Sequence, residues 1–183
     1  NMPKISIVTV TARELYFEEK ILALQNQVFK DFEWVYVDDN YNEHHQRYME
    51  LTRNAFLFIH VLPSKIVPYF APGVAMNDGL VKCKGELVFF MIDYTLPEAH
   101  CLARHWELYQ RFPKAMLSGR NFEVGFNPSL LSSYQGVIKG HDYRMGLFEQ
   151  GLFRFNKIED DLYEADRGGV QNWWGGRNDS APL

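Results

Sequence analysis

The sequence predicts an α/β protein with a mainly parallel, doubly wound sheet that carries helices on both faces. Three observations support this prediction. Short apolar runs alternate with helix-like segments four times within the first 120 residues. The runs are apolar at nearly every position, as in parallel strands that are buried on both faces. Acidic residues end two of them, at Asp38, Asp39 and Asp93, and such residues mark the sheet edge where α/β proteins bind ligands.

The first half of the alternation contains three predicted strands and two predicted helices. Lys4–Val10 is the first strand, and Glu19–Phe29 follows it with apolar residues at helical spacing. Phe32–Val37 is the second strand. The polar segment Asn42–Arg53 is predicted to be a helix, with Asn42 as its N-cap. The apolar run Ala55–Val61 is the third strand.

The second half follows an irregular connection that contains three prolines. Val74–Lys84 is predicted to be helical and leads into the fourth strand, Leu87–Ile92. Pro97 suits the first turn of a helix that runs to about Arg111. Beyond Arg120 the alternation stops, and loops, short strands and one or two short helices are expected there.

The composition predicts one globular domain and excludes several function classes. With 183 residues, of which 46% are hydrophobic, the chain can bury a substantial core. Its formal net charge of -4 provides no basic surface, so no nucleic acid partner is expected. Cys83 and Cys101 fit no zinc or disulfide pattern, which favours a reducing compartment and therefore the cytoplasm. Neither a signal peptide nor a transmembrane segment is expected.

Several short motifs follow one another in a specific order along the first 100 residues. They are Ile5–Val10, Phe32-Glu33 before Val37-Asp38-Asp39-Asn40, Asn77-Asp78-Gly79, and Gly85-Glu86-Leu87-Val88 before Asp93. Each is weak alone, but together they resemble family 2 glycosyltransferases of the GT-A fold. The segment from Trp173 to Ser180 also resembles that family's acceptor-side loop.

The resemblance implies a hexosyltransferase-like enzyme. A sugar would move from a nucleotide diphosphate donor, with a UDP-sugar expected, to the hydroxyl of a glycan or other acceptor, with inversion at the anomeric carbon. Residues 1–120 are then the nucleotide-sugar-binding half. Residues 121–183 are the acceptor-side segment of the same domain, expected to be truncated at its C-terminal end.

The resemblance also implies a donor site at the strand ends. Thr9 and Asp39 would hydrogen-bond the edge of a uracil-like base, with Asp39 accepting from a ring N–H. Arg13 and Lys65 are candidates for the phosphates, because Met76 stands where the family often has an arginine, and a solvated surface role is the favoured alternative for Lys65. The implied donor-binding residues are Thr9, Thr11, Arg13, Asp38, Asp39, Asn77 and Asp93. The alternative for Asp38 and Asp39 is a turn in which carboxylates bond nearby backbone amides, and Asp38 best fits that structural role.

Asp93 matches a carboxylate of the family's Asp-x-Asp element, which holds a divalent cation against the donor phosphates. Carboxylate and phosphate oxygens suit Mn²⁺ or Mg²⁺, which would stabilise the leaving diphosphate as a Lewis acid. Ile92 and Tyr94 flank Asp93, so this chain has one acidic residue where the family usually has two or three. The alternative is that Asp93 caps the helix that starts near Pro97.

The resemblance places the acceptor side in the last residues of the chain. Trp173 and Trp174 would form an apolar wall for a sugar ring, with Asn178 and Asp179 contacting its hydroxyls, and buried core tryptophans are the alternative. The catalytic base is expected on a segment beyond Leu183, unless Asp179 serves as the base itself.

Two other functions compete with glycosyl transfer. A non-catalytic nucleotide- or glycan-binding module of the same fold is the main alternative, because Ile92 replaces a metal carboxylate. A phosphoacceptor receiver domain would need an acidic pair after the first strand, where Thr11-Ala12-Arg13 stands instead. The six histidines form no metal-binding pattern in the sequence, and only His141, beside Asp142, is a candidate for a late ligand.

Overall fold

The structure is a computed structural model, and it describes residues 2–66, 72–119, 155–159, 162–165 and 179–183. The chain divides into two compact units, of which the first comprises residues 1–119 and 176–183 and the second residues 120–175. In the second unit, β6 (Phe155–Glu159) pairs with β7 (Leu162–Ala165) as an antiparallel ladder.

The first unit alternates strands and helices along the chain. Its elements are β1 (Ile5–Thr11), α1 (Phe17–Gln25), β2 (Phe32–Asp38), α2 (Tyr41–Thr52), β3 (Leu57–Val61), α3 (Pro72–Leu80), β4 (Leu87–Phe90), α4 (Cys101–Arg111), β5 (Leu117–Ser118) and β8 (Asp179–Pro182).

The strands of the first unit form one six-stranded sheet in the order β3-β2-β1-β4-β8-β5. β1, β2, β3 and β4 are parallel, whereas β8 runs antiparallel to both β4 and β5. The chain winds outward from β1 through β2 to β3, and then crosses to β4 on the other side of β1. The predicted α/β class with a mainly parallel, doubly wound sheet is confirmed.

Each face of the sheet buries its own set of apolar side chains, because successive residues of a strand point to opposite faces. On one face, Ile7, Trp34 and Phe89 pack with residues of α1, α2 and α4. On the other face, small and β-branched side chains, including Val8 and Val88, pack with α3. Helices therefore cover both faces, as the near-continuous apolar runs predicted.

A buried carboxylate closes the amino-terminal edge of the sheet. Glu33 of β2 is fully buried, and its Oε1 accepts hydrogen bonds from the Ser6 hydroxyl at 2.6 Å and from the Lys84 backbone N–H at 2.6 Å. The backbone N–H of Gly85 donates to Ser6 Oγ at 2.8 Å. These bonds partner one oxygen of the buried carboxylate, while Glu33 Oε2 has no hydrogen-bond partner among the described residues, and they join the start of β4 to β1 and β2.

Two helices are shorter than their sequence patterns suggest, and Gln27 is the reason. Its buried side-chain N–H donates to the Glu98 carbonyl at 2.8 Å, and its Oε1 accepts from the Leu102 backbone N–H at 3.1 Å. The residues after α1 are therefore held against the segment before α4, so α1 ends at Gln25 and α4 begins at Cys101 rather than near Pro97. α2 also differs, because its N-cap is Asn40 instead of Asn42.

We expect Gly85→Ala to destabilise the fold by about 1–3 kcal/mol, the usual effect of forcing extra volume into a packed site. A Cβ at Gly85 would lie 2.6 Å from the Ser6 nitrogen and 2.7 Å from the Ile5 carbonyl carbon, and backbone atoms yield little. Gly79→Ala is the matched comparison. Its Cβ would meet the Val8 and Val37 methyl groups at 2.9 and 3.0 Å, and alanine raises the helix propensity of α3. Urea unfolding should give the larger loss for Gly85→Ala, and equal losses would contradict this account.

Candidate functional site

The parallel strands place three sets of polar residues at one edge of the sheet. Thr11, the last residue of β1, is in register with Asp38, the last residue of β2. β4 ends at Phe90 on the other side of β1, and Asp93 follows after two residues. The carboxyl ends of β1, β2 and β4 therefore meet where the winding of the sheet reverses, which is the position of ligand sites in doubly wound folds.

Thr11, Arg13 and Asp93 form a connected cluster at this edge. The Arg13 guanidinium donates from Nε to Asp93 Oδ2 at 2.9 Å and from Nη2 to Asp93 Oδ1 at 3.4 Å. Thr11 Oγ1 lies 3.1 Å from Asp93 Oδ2 and accepts from the Arg13 backbone N–H at 3.1 Å. The side chain of Asp93 is only 9% exposed, whereas that of Arg13 is 58% exposed. The cluster thus buries its carboxylate and presents its cation to solvent.

A buried lysine supports the loop that carries Arg13. Lys20 is fully buried in α1, and its Nζ donates to the Leu15 carbonyl at 2.6 Å and to the Tyr16 carbonyl at 3.4 Å. Burial lowers the pKa of Lys20 to about 8, although the nearby Asp93 carboxylate acts in the opposite direction. Tyr16 has a φ of 50°, an unusual backbone conformation outside glycine, and the bond from Lys20 holds it there.

Asp38 is buried and bonded within the protein. Its Oδ2 accepts from His44 Nδ1 at 2.7 Å and lies 3.4 Å from His60 Nε2, while Oδ1 accepts from the Asn40 backbone N–H at 2.9 Å. Burial raises the pKa of Asp38, but the bonds from His60, His44 and Asn40 outweigh it, so the net shift is downward. Asp38 therefore anchors the turn between β2 and α2.

The histidine contacts of Asp38 continue outward to the surface of α2. His60 Nδ1 lies 3.1 Å from His45 Nδ1, so one of these two nitrogens carries the proton that joins them. His60 therefore lies between Asp38, on the side of its Nε2, and His45, on the side of its Nδ1. The sequence pattern did not predict this network, because His60 is 22 residues from Asp38 and only the packing of β3 beside β2 and α2 brings it to the other members.

Asp39 has a different environment from its neighbour. It is partly buried, and its backbone N–H donates to the Thr11 carbonyl at 3.1 Å, which fixes the residue beside the end of β1. Burial raises the pKa of the Asp39 carboxyl, and the negative charge of Asp38 raises it further. Its environment thus favours a hydrogen-bonding partner or a cation at this carboxylate.

The other residues implied by the resemblance lie elsewhere. Thr9 is fully buried, and its hydroxyl accepts from the Trp34 indole N–H at 3.0 Å. Asn77 is exposed on α3, and Lys65 is exposed in the connection after β3. Asp179 begins β8, where its backbone pairs with that of Phe90 at the end of β4. Residues 173, 174 and 178, and the pair at 141 and 142, lie outside the described residues.

The residues around Asp93 do not fit a divalent cation in the arrangement that the structure shows. Both oxygens of Asp93 face the Arg13 guanidinium, so the carboxylate already has a positively charged partner. Within the described ranges, no group of three or more His, Cys, Asp or Glu residues is placed to hold a metal ion.

A cavity of about 230 Å³ lies at the opposite end of the strands. Its lining includes Leu24 of α1 and the first residues of β2 and β3, Phe32 and Leu57, and Lys30 is its one charged residue. The chemistry-bearing residues are at the other edge of the sheet, so we place the candidate site there rather than in this cavity.

Comparisons with known proteins identify the fold. Neither a protein-family model nor a curated protein matches the sequence. The solved structures that resemble it include S. aureus TarS 1-349, with 23% identity over 68% of this chain and 37% of that chain and a TM-score of 0.58. The mannosyltransferase PcManGT from Pyrobaculum calidifontis, in complex with GDP-Man and Mn²⁺, has 21% identity over 67% and 36% of the two chains and a TM-score of 0.54.

The chain has a GT-A-like fold. The resemblance to family 2 glycosyltransferases is thus confirmed at the level of the fold. S. aureus TarS 1-349 in complex with UDP-GlcNAc matches equally well, with 21% identity, 68% of this chain and 36% of that chain covered, and a TM-score of 0.58. The chain spans little more than a third of the length of these GT-A-like structures. In the part of the chain that the structure describes, every helix is too short or too polar to cross a membrane.

The depressed pKa of Asp38 predicts a specific acid sensitivity. The pKa of Asp38 is lower in the folded protein than in the unfolded protein, where it is about 3.9. Ionised Asp38 therefore stabilises the fold at pH values above about 3.9, and this contribution is lost as the pH falls through the pKa of the folded protein. Asp38→Asn should therefore lower the free energy of unfolding by about 2 kcal/mol at pH 5, and by less at pH 3. Urea unfolding at both pH values measures this, with Asp31→Asn, an exposed position, as the control. A loss that is the same at pH 3 would contradict the assignment.

Proposed function

We propose that the chain is the donor-binding part of a glycosyltransferase that transfers a sugar from a nucleotide diphosphate to an acceptor hydroxyl. The observation that carries this proposal is the position of Asp39, Arg13 and Asp93 at the reversal point of a GT-A-like sheet. The similarity to TarS with UDP-GlcNAc and to a mannosyltransferase with GDP-Man supports nucleotide-sugar chemistry on this fold.

Asp39 is the proposed acceptor for the base. Its backbone is held by Thr11, its side chain is partly buried, and its carboxylate can accept a hydrogen bond from a ring N–H. Uracil and guanine both present such a group, and uracil is the base that the motif pattern implies. Thr9 supports the site from within the core, since its hydroxyl is bonded to Trp34. Asp38 shapes the turn that carries Asp39.

Arg13 is the proposed partner of the diphosphate. An exposed guanidinium forms charge-assisted hydrogen bonds to phosphate oxygens and matches their geometry. A role for Asn77 stays a prediction that rests on the family resemblance. The resemblance also implies a Mn²⁺ or Mg²⁺ ion at Asp93, but both oxygens of Asp93 face the Arg13 guanidinium, so the proposal assigns no step to a metal ion.

The acceptor side of the proposal concerns residues 121–183. A carboxylate takes the proton of the acceptor hydroxyl while the oxygen of that hydroxyl attacks the anomeric carbon. The bond from the anomeric carbon to the diphosphate breaks on the opposite side, so the configuration at this carbon is inverted. Asp179 is the candidate base within this sequence, because its backbone lies beside the end of β4. Trp173, Trp174 and Asn178 are proposed to contact the sugar or the acceptor.

A non-catalytic nucleotide-binding module is the second candidate function. The pairing of Asp93 with Arg13 favours it, since this carboxylate is the one that the family uses for its metal ion. Such a module would bind a nucleotide diphosphate without releasing sugar from UDP-GlcNAc or UDP-glucose. Measuring nucleotide release by chromatography over several hours separates the two functions.

We expect UDP to bind and Asp39→Ala to weaken its binding by about 1–3 kcal/mol, the effect of removing one partly buried hydrogen-bonding partner. Asp31→Ala is the matched control, since Asp31 is an exposed aspartate that precedes β2 at the other end of the strand. Isothermal titration calorimetry with UDP and GDP measures both variants. Unchanged UDP affinity in Asp39→Ala would remove Asp39 from the site.

We expect Asp179→Asn to preserve UDP affinity and to reduce sugar transfer or donor hydrolysis by about 10²–10⁴, the usual contribution of a general base. Asparagine keeps the size of the side chain but does not accept a proton. Product formation from a radiolabelled UDP-sugar provides the rate, and calorimetry provides the affinity. An unchanged rate would show that the base lies elsewhere.

A further inference from the structure

The carboxylate that the family resemblance assigns to a metal ion is held here by a cation of the protein itself. Arg13 approaches Asp93 with two donor atoms, at 2.9 and 3.4 Å, in the two-pronged geometry that suits a guanidinium and a carboxylate. The two residues are 80 positions apart in the chain, so the pair depends on β1 and β4 lying side by side.

The surroundings hold the guanidinium in this position from several sides. The Tyr94 ring centroid lies 5.8 Å from Arg13 Cζ, within cation–π distance. The Arg13 backbone N–H donates to the Thr11 hydroxyl, which itself contacts Asp93. Lys20 holds the carbonyls of Leu15 and Tyr16, which follow Arg13 in the same loop. The Arg13 backbone is thus bonded to Thr11, and its guanidinium contacts both Asp93 and Tyr94.

Two cationic side chains of the protein act on the Asp93 carboxylate. Arg13 keeps its proton, because the hydrogen bond and the charge of Asp93 raise its pKa further. Lys20 adds a second positive charge near the same carboxylate. Arg13 and Lys20 are thus two protein cations that act on the Asp93 carboxylate, and Arg13 is the one exposed to solvent.

The guanidinium also has a surface for a ligand. The contacts with Asp93 use Nε and one N–H of Nη2, while more than half of the Arg13 side chain is exposed. A guanidinium has five N–H donors, so an anion can bind on the solvent side while the pair with Asp93 stays intact.

We propose that Arg13, held by Asp93 and Tyr94, takes the place of the metal ion, so that this protein binds the diphosphate of its nucleotide ligand without a divalent cation. This inference rests on the proposed function, because it concerns the same donor site. The phosphate oxygens accept hydrogen bonds from the Arg13 guanidinium, and Asp93 acts as a positioning residue that orients it.

The experiment compares UDP with uridine, because uridine lacks the diphosphate and reports on the base pocket alone. Calorimetry is carried out on the full chain in EDTA and, separately, in excess MnCl₂. We expect UDP to bind at least about tenfold more tightly than uridine in EDTA, and Mn²⁺ to change the UDP affinity by less than about threefold. Arg13→Gln should weaken UDP binding by about tenfold to a hundredfold in EDTA and leave uridine binding unchanged.

Two variants serve as controls. Arg104→Gln removes a partly exposed arginine from α4, where it pairs with Glu107, and should preserve the UDP affinity. Arg13→Lys keeps the charge but lacks the planar fork, and should bind UDP with intermediate affinity. Circular dichroism and thermal unfolding establish that each variant is folded, and Arg13→Lys tests the inference if Arg13→Gln does not fold.

The outcomes separate this inference from the proposed function. If UDP binds more tightly than uridine only in the presence of Mn²⁺, or if Arg13→Gln and Arg13→Lys bind UDP like the unmodified chain in EDTA, the inference is wrong and the donor site stands. If neither uridine nor UDP binds under either condition, the proposed function fails, and this inference fails with it.

Discussion

The parallel pairing of β1 with both β2 and β4 is the constraint on which the site depends. β1 is buried along its whole length, and its neighbours end close to the point where it ends. Parallel strands bring their carboxyl ends to one edge, and the chain reverses its winding direction at β1. The strand pairing itself therefore brings together the residues that follow β1, β2 and β4. Because β1 and β4 are adjacent, the loops that follow them are also adjacent.

The acidic residues at this edge have the same chemistry but different surroundings, and the surroundings decide their roles. Asp38 is enclosed by His44, His60 and a backbone N–H, so it stabilises the turn. Asp39, one residue later, lies on the partly exposed side and has a raised pKa. Asp93 is nearly buried and forms an ion pair with the Arg13 guanidinium. One carboxylate is thus bonded within the turn, one is partly exposed, and one is paired with a cation.

The charged groups at the two edges of the sheet differ in their exposure to solvent. At the amino-terminal edge, Glu33 accepts hydrogen bonds from Ser6 and Lys84, which closes the edge around the carboxylate. At the carboxyl-terminal edge, the charged groups of Arg13 and Asp93 are held in place, yet the guanidinium stays open to solvent. A closed network contributes to the stability of the fold, whereas a positioned but accessible cation is suited to binding an anion.

The sequence by itself determined the α/β class, the four parallel strands and the edge that carries the polar residues. Parallel strands are buried on both faces and therefore appear in the sequence as apolar runs, and the acidic residues that follow them mark the edge where their carboxyl ends meet. The tertiary structure alone decided the rest. β5 has only two residues and β8 has the sequence Asp-Ser-Ala-Pro, so neither contains an apolar run, and β8 forms by pairing with β4 on one side and β5 on the other. The end of α1 and the start of α4 depend on the Gln27 side chain, which forms hydrogen bonds with the backbone of Pro97 and Leu102, at least 70 residues away in the chain. The contacts of Asp38 with His60 and of Asp93 with Arg13 also join segments that are far apart in the chain, and local sequence patterns do not predict such contacts.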